Sequence, residues 1–255
     1  MSGLRVFTFL PGWDLPTTGP FALKLLAWLD VNGIAYEQVI ENNPAKGPLG
    51  KSPWIELDGE RIGDSDAIIR LLAERHGIEL ALGATPNDRA VAHAFKTAFE
   101  ERFHQILEWE LFMHPAGAAF IDETIRHQAP PVIGALVSRS MRRHFARQLH
   151  ARGIARHAPE TIAEMGRADL DALAARLADR PFLTGEAPVL GDLAVFGQVA
   201  PILHWPMETP VASHAKQLSA LCDWSDRIKS ECGLALTAPL HARRGVAAPG
   251  KLAIQ

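Results

Sequence analysis

The alternation of apolar and polar positions divides the chain into two unlike parts. Residues 4–10 (LRVFTFL) mix β-branched and aromatic side chains and stop at Pro11-Gly12, as a strand does. After the loop GWDLPTTG, Pro20 opens the run FALKLLAWLDVN, which ends at Gly33. Proline suits the first position of a helix and glycine the position just past its end. Phe21, Leu25 and Trp28/Leu29 recur there at helical spacing, which predicts one buried face. A second strand is expected at 34–40 (IAYEQVI). After the Pro/Gly-rich NNPAKGPLGKSP, the run WIELDGERI reads as two short strands around Asp58-Gly59, a hairpin-forming pair. GDSDAIIRLLAERHG then reads as a helix, with Asp64 or Ser65 at the N-cap and Gly77 at the end. The order β-α-β, loop, β-β-α predicts a small α/β sandwich with a parallel and an antiparallel pair of strands, joined by a right-handed crossover through the first helix.

From Thr85 onward the period is helical. Helices are expected at 87–112, 117–128, 131–152, 159–179, 190–204 and 214–231, punctuated by Pro130-Pro131, Pro181, Pro188 and Pro206. In the fourth, Ile162, Leu170, Leu173 and Leu177 fall on one face. The organisation is α+β: a first domain over 1–80, an all-helical domain over 87–240 and a tail over 241–255.

Composition narrows the function classes. Of 255 residues 47% are hydrophobic and 22% charged, an ordinary globular balance that excludes a disordered chain. The net charge of −3 argues against a dedicated nucleic-acid binder. The longest uncharged apolar stretch, Leu193–Met207, is broken by Gly197, Pro201 and Pro206 and is shorter than the ~18–20 residues of a membrane span. The N-terminus offers no signal peptide. The two cysteines, Cys222 and Cys232, sit ten residues apart in one helical stretch, about 15 Å by helix rise and too far for a bridge. These features point to a reduced, cytoplasmic protein. The eleven histidines are scattered, with no zinc-ligand spacing.

Four segments carry candidate chemistry. In Ser52-Pro53-Trp54, a cis-proline would turn the backbone of Ser52 toward a peptide-like ligand; a trans-proline would merely open a strand. In Gly63-Asp64-Ser65-Asp66, a hydroxyl at a helix N-terminus suits a carboxylate and Asp64 an ammonium, the two charges of an amino-acid end; plain N-capping is the alternative. In TTGPFALK, a nucleophile would feel the dipole of the first helix, but Thr17 and Thr18 are the only hydroxyls and there is no cysteine. Finally, 124–159 has no acid but carries Arg126, Arg139, Arg142, Arg143, Arg147, Arg152 and Arg156. They flank an apolar stripe of Met141, Phe145 and Leu149, which reads as a solvated amphipathic helix that pairs with acids elsewhere, or as an anion site or the wall of a cleft facing the acidic N-terminal part.

Together these pieces resemble the glutathione S-transferase superfamily. The closest wording is that of the failed-axon-connections and metaxin branch, echoed in GKSPWIELDGERIGDSDAIIRLL, RRHFARQLHARGIARHAPETIAEMGRADLDAL and RPFLTGEAPVLGDLAVFGQVAPIL. The resemblance implies a thioredoxin-like glutathione domain followed by an all-helical domain, and a homodimer. It implies a cis Pro53, a Ser52 backbone pairing with the cysteinyl part of glutathione, and Asp64 and Ser65 on the γ-glutamyl end. Lys51 or Lys24 would reach a ligand carboxylate. The activity it implies is transfer of the glutathione thiolate to a small hydrophobic electrophile, with Trp109, Phe112 and Met113 in that substrate's wall. The alternative is a non-catalytic, metaxin-like scaffold with a degenerate site. Two departures stand out. Gly19 and Ala22 occupy the positions where sulfur-using members carry Cys or Ser, which leaves Thr17, Thr18 or backbone N–H groups to stabilise a thiolate. Val189 replaces the Ser/Thr cap that precedes Asp192 on the late buried helix, which halves a reciprocal capping arrangement.

Overall fold

Four short strands form one sheet in the order β2-β1-β3-β4, from β1 (Arg5–Thr8), β2 (Glu37–Ile40), β3 (Trp54–Leu57) and β4 (Glu60–Gly63). The computed structural model describes residues 3–80, 85–128 and 130–233; the expected tail at 241–255 lies outside them. β1 runs parallel to β2 and antiparallel to β3, and β3 runs antiparallel to β4. The two expected pairs are thus fused through β1 and β3. Asp58 and Gly59 turn the β3–β4 hairpin with φ of 52° and 87°, the doubly positive geometry that favours Asp-Gly.

α1 (Pro20–Val31) joins β1 to β2, and α2 (Ser65–His76) follows β4. The periodicity predicts one buried face for α1, but every residue from Ala22 to Leu29 is buried, Lys24 included. The reason is a helix far along the chain. α8 (Leu190–His204) lies across α1 so closely that a Cβ on Gly197 would stand 2.4 Å from the Pro20 carbonyl oxygen. α1 is therefore sandwiched rather than laid on a sheet.

The helical part begins with α3 (Pro86–Thr97) and α4 (His104–Phe112), joined without a break by a π-helical turn at Ala98–Phe103 where one regular helix is expected. α6 (Pro131–Arg152) and α7 (Pro159–Leu177) start at the expected prolines, whereas α5 (Pro115–Gln128) starts two residues before the expected 117, at Pro115. The helix expected at 214–231 is two helices, α9 (Pro210–Ala215) and α10 (Ser219–Glu231). α9 starts early because Glu110 on α4 caps it from across the core. Its carboxylate accepts the Thr209 hydroxyl and the Val211 N–H, the latter at 2.9 Å. Of the stripe, Leu149 is buried and Phe145 packs against the core, stacked on Phe112 at 3.7 Å between ring centroids. Among the described residues no helix is long and apolar enough to cross a membrane.

Candidate functional site

Strand register gathers the candidate residues at one end of the sheet. Trp54 pairs with Gly63, so Ser52-Pro53 entering β3 lies beside Asp64-Ser65 leaving β4. Phe7 pairs with Trp54, so β1 also ends there, and its loop to α1 (9–19) emerges at the same edge. The Ser52–Pro53 peptide is cis.

Asp64 caps α2 with φ 71° and ψ 116°, and its carboxylate accepts the Ala67 N–H at 2.8 Å. Ser65 is only 5% exposed, and among the described residues no group hydrogen-bonds its hydroxyl. The Ser52 hydroxyl is likewise buried without a partner. Lys24 does not face this edge. Its ammonium is buried between Asp66 at 2.8 Å and Glu100 at 2.5 Å. Lys51 is exposed and remains beside the site.

The loop before α1 is firmly held. Gln38 donates to the Pro16 carbonyl at 2.8 Å and to the Thr8 hydroxyl at 2.9 Å; Thr18 N–H donates to Leu10 O at 2.9 Å. Trp13 reaches across to the helical part and packs against Phe120 and edge-on against Trp205. The two threonines differ. Thr17 is fully buried; its one proton goes to the Phe9 carbonyl at 3.1 Å, while its oxygen accepts the Gly19 N–H at 3.1 Å. Thr18 is half-buried and its hydroxyl has no partner among the described residues. Gly19 offers α1 no side-chain cap.

The helical wall adds residues that sequence reasoning missed. Lys96, Glu100, His104 and Glu108 recur every fourth residue along α3, the π turn and α4. Read locally, that spacing is a solvated, salt-bridged face; here it is a polar seam against the first domain. His104 meets the Phe21 ring edge-on at 4.9 Å, with Nδ1 3.0 Å from Gln198 Oε1 and Nε2 3.4 Å from Glu108. Glu108 also meets Arg152 at 3.1 Å. Burial works to raise its carboxyl, but the hydrogen bond and charge of His104, then Arg152 and Lys51, hold it below the usual carboxylate range. Trp109 is buried core, and Phe112 and Met113 pack partly buried against it. Both thiols lie elsewhere. Cys232 sits near Asp30 at the far end of α1, and burial pushes its pKa up to about 12, which leaves it inert.

Residues 20–117 match the glutathione S-transferase N-terminal domain, and residues 166–228 the glutathione S-transferase C-terminal domain. The chain belongs to the glutathione S-transferase superfamily. It is 28% identical over 241 residues to the isoprene-epoxide–glutathione S-transferase of Rhodococcus sp. (strain AD45), covering 89% of this chain and 98% of that one. It is 29% identical over 197 residues to Failed axon connections of Drosophila melanogaster, covering 71% of this chain and 46% of that protein. Metaxin-1 of Macaca fascicularis matches at 24% identity, over 89% of this chain and 74% of its own. Among solved structures, the transferase fold is shared with the β-etherase LigF from Sphingobium sp. strain SYK-6. The TM-score is 0.61 at 20% identity, covering 90% of this chain and 96% of that one.

Proposed function

We propose that the protein binds glutathione at the open end of the β3–β4 hairpin and transfers its thiolate to a small electrophile. The observation that carries this reading is the Ser65 hydroxyl, unpartnered at the α2 N-terminus next to Asp64. A non-glycine residue at the φ of Asp64 costs on the order of 1–3 kcal/mol, and strain of this kind collects at ligand sites, which supports the reading. Glutathione is a charged tripeptide whose groups suit this edge. The α2 N-terminus and Ser65 would take its γ-glutamyl carboxylate and Asp64 the neighbouring ammonium. The Ser52 backbone would pair with the cysteinyl unit, and Lys51 would meet the remaining carboxylate. Thr17 closes its own loop, so Thr18 and the first amides of α1 are the donors left for a thiolate. Donors to the ionised form lower a thiol's pKa and so activate it. The relative named for isoprene epoxide makes small epoxides the first electrophiles to try. The homodimer belongs to the same reading.

The test is calorimetric titration of the full chain with glutathione, followed by conjugation assays on a panel of epoxides. Ser65→Ala is expected to weaken glutathione binding by roughly 1–3 kcal/mol, the worth of a hydrogen bond to a charged group. Thr18→Val is expected to leave that affinity nearly unchanged and to lower kcat by about 100-fold, as when one donor to a developing anion is removed. A second reading, a non-catalytic binding protein, is favoured by the absence of sulfur at Gly19 and Ala22 and by the closed hydrogen bonds of Thr17. No glutathione binding by the unaltered chain would overturn the first reading in favour of the second.

A further inference from the structure

The proposed reaction leaves the arginine-rich segment unused. α5 and α6 form a hairpin tied by Asp122, which accepts from Ser138 and from Arg142, the latter at 2.6 Å. Between the two helices lies a groove of about 660 Å³ lined by Arg126, Arg139, Arg142 and Arg143 and by the Asp122 that pairs with Arg142, with Met113 at its edge and the small residues Gly134 and Ala135 leaving it open. A second groove of about 630 Å³ shares Arg139 and Arg143 and adds Arg147 and Leu136. Such volumes are typical of small-molecule sites.

The charge arrangement points outward. Arg139, Arg143 and Arg147 follow one another at four-residue spacing on the exposed side of α6, where like charges one turn apart repel. Among the described residues none of the three makes an ion pair or a side-chain hydrogen bond, whereas Arg142 beside them is neutralised by Asp122. Residues 124–159 hold seven arginines and no acid in a chain of net charge −3, so the rest of the chain sums to −10. A long polyanion such as a nucleic acid would be repelled by that remainder; a small anion seated in the groove would not. Apolar side chains continue the same face, with Leu136 64% and Val132 75% exposed.

We infer that this groove binds a small ligand carrying a phosphate or pyrophosphate group on an apolar body. Guanidinium forks match phosphate oxygens two at a time. A line of three suits several oxyanions better than a single carboxylate, and Met113, Leu136 and Val132 offer the apolar part its contact. The phosphate could come from a soluble organic phosphate or from a phospholipid headgroup.

The probes are dodecyl phosphate as monomer, inorganic pyrophosphate, and vesicles of phosphatidylcholine with and without phosphatidic acid, with dodecyl maltoside as the uncharged control. Dodecyl phosphate is expected to bind, and Arg139→Gln with Arg143→Gln to weaken it by about tenfold for each guanidinium lost. Arg89→Gln, exposed on α3, should change nothing. Both sites of substitution are exposed, so an unchanged melting midpoint separates lost binding from lost folding. Binding of monomer without vesicles assigns a soluble phosphate. Binding of phosphatidic-acid vesicles that the double variant loses assigns a headgroup. Failure of all three phosphate probes, equal binding of dodecyl maltoside, or binding that survives the double variant overturns the inference.

Discussion

Asp192→Ala is expected to lower the free energy of unfolding by about 3–5 kcal/mol, the effect of breaking a buried charged hydrogen-bond network. Asp192 is fully buried at the start of α8. Its Oδ1 accepts the Leu183 N–H at 2.9 Å and the Trp224 indole N–H at 3.1 Å, and its Oδ2 accepts the Val189 N–H at 3.1 Å. One carboxylate therefore joins the segment entering α8, the cap position itself and α10. Val189 brings no oxygen, so this half of the capping arrangement carries the helix start alone. Alanine would leave three donors without acceptors, those of Leu183 and Trp224 buried and that of Val189 half-buried. Chemical denaturation should show a lower midpoint at an unchanged slope.

The same residue sets a pH dependence. Burial pushes its carboxyl up to about 6 from an ordinary 3.8, against the pull of its donors. Between those values the folded state holds a proton that the unfolded state has released. Its contribution to stability is therefore greatest at the acid end and falls as pH rises through the window, at up to about 1.4 kcal/mol per pH unit. Asp192→Asn keeps one acceptor, destabilises less than alanine, and should lose this slope. An identical slope in the Asn variant would assign the titration to another group.

The parts of the fold that were legible are those whose causes are local. Asp58-Gly59 announces its hairpin because only a few residues accept two positive φ values, and Pro20, Pro131 and Pro159 announce helix starts because a missing N–H is harmless there. Ser52-Pro53 and Asp64-Ser65 were legible for the same reason, each a short motif at the end of an element. What stayed hidden depends on partners distant in sequence. Nothing around Lys24 says that α8 will cover the other side of α1, and nothing around Thr209 says that Glu110 will cap α9. The π turn re-aims the long α3–α4 rod so that Glu100 and His104 face the first domain, where period counting expects one regular helix. Thr17 and Thr18 are adjacent and chemically equivalent; only the fold of their loop, closed through Gln38 and Phe9, tells them apart.

Lys24→Met is expected to cost about 3 kcal/mol of stability and to weaken glutathione binding as well, because the buried ammonium fixes one end of the candidate site. Lys24 is 1% exposed and meets Asp66 and Glu100, while Lys96 meets the other oxygen of each acid. Two cations and two anions thus alternate around a closed ring that links α1, α2 and the helical wall. Asp66 stands two residues beyond Asp64, on the first turn of α2, so the ring holds the α2 N-terminus against α1. Removing one cation leaves two carboxylates sharing Lys96. Asp66 shows the balance: burial raises its carboxyl, but the charge and hydrogen bond of Lys24, then those of Lys96, hold it below the ordinary value. Its stabilisation is present above the unfolded carboxyl's pKa and is lost as pH falls through the lower folded value, so this acid-side loss should be smaller in the Met variant. The decisive comparison is the double variant Lys24→Met with Glu100→Gln. It removes one charge of each sign and leaves Asp66 paired with Lys96. Charge balance predicts that it recovers most of the lost stability, a coupling that a double-mutant cycle reads directly. If the two losses simply added, Lys24 would matter for its packing alone, and the ring would not be what positions α2.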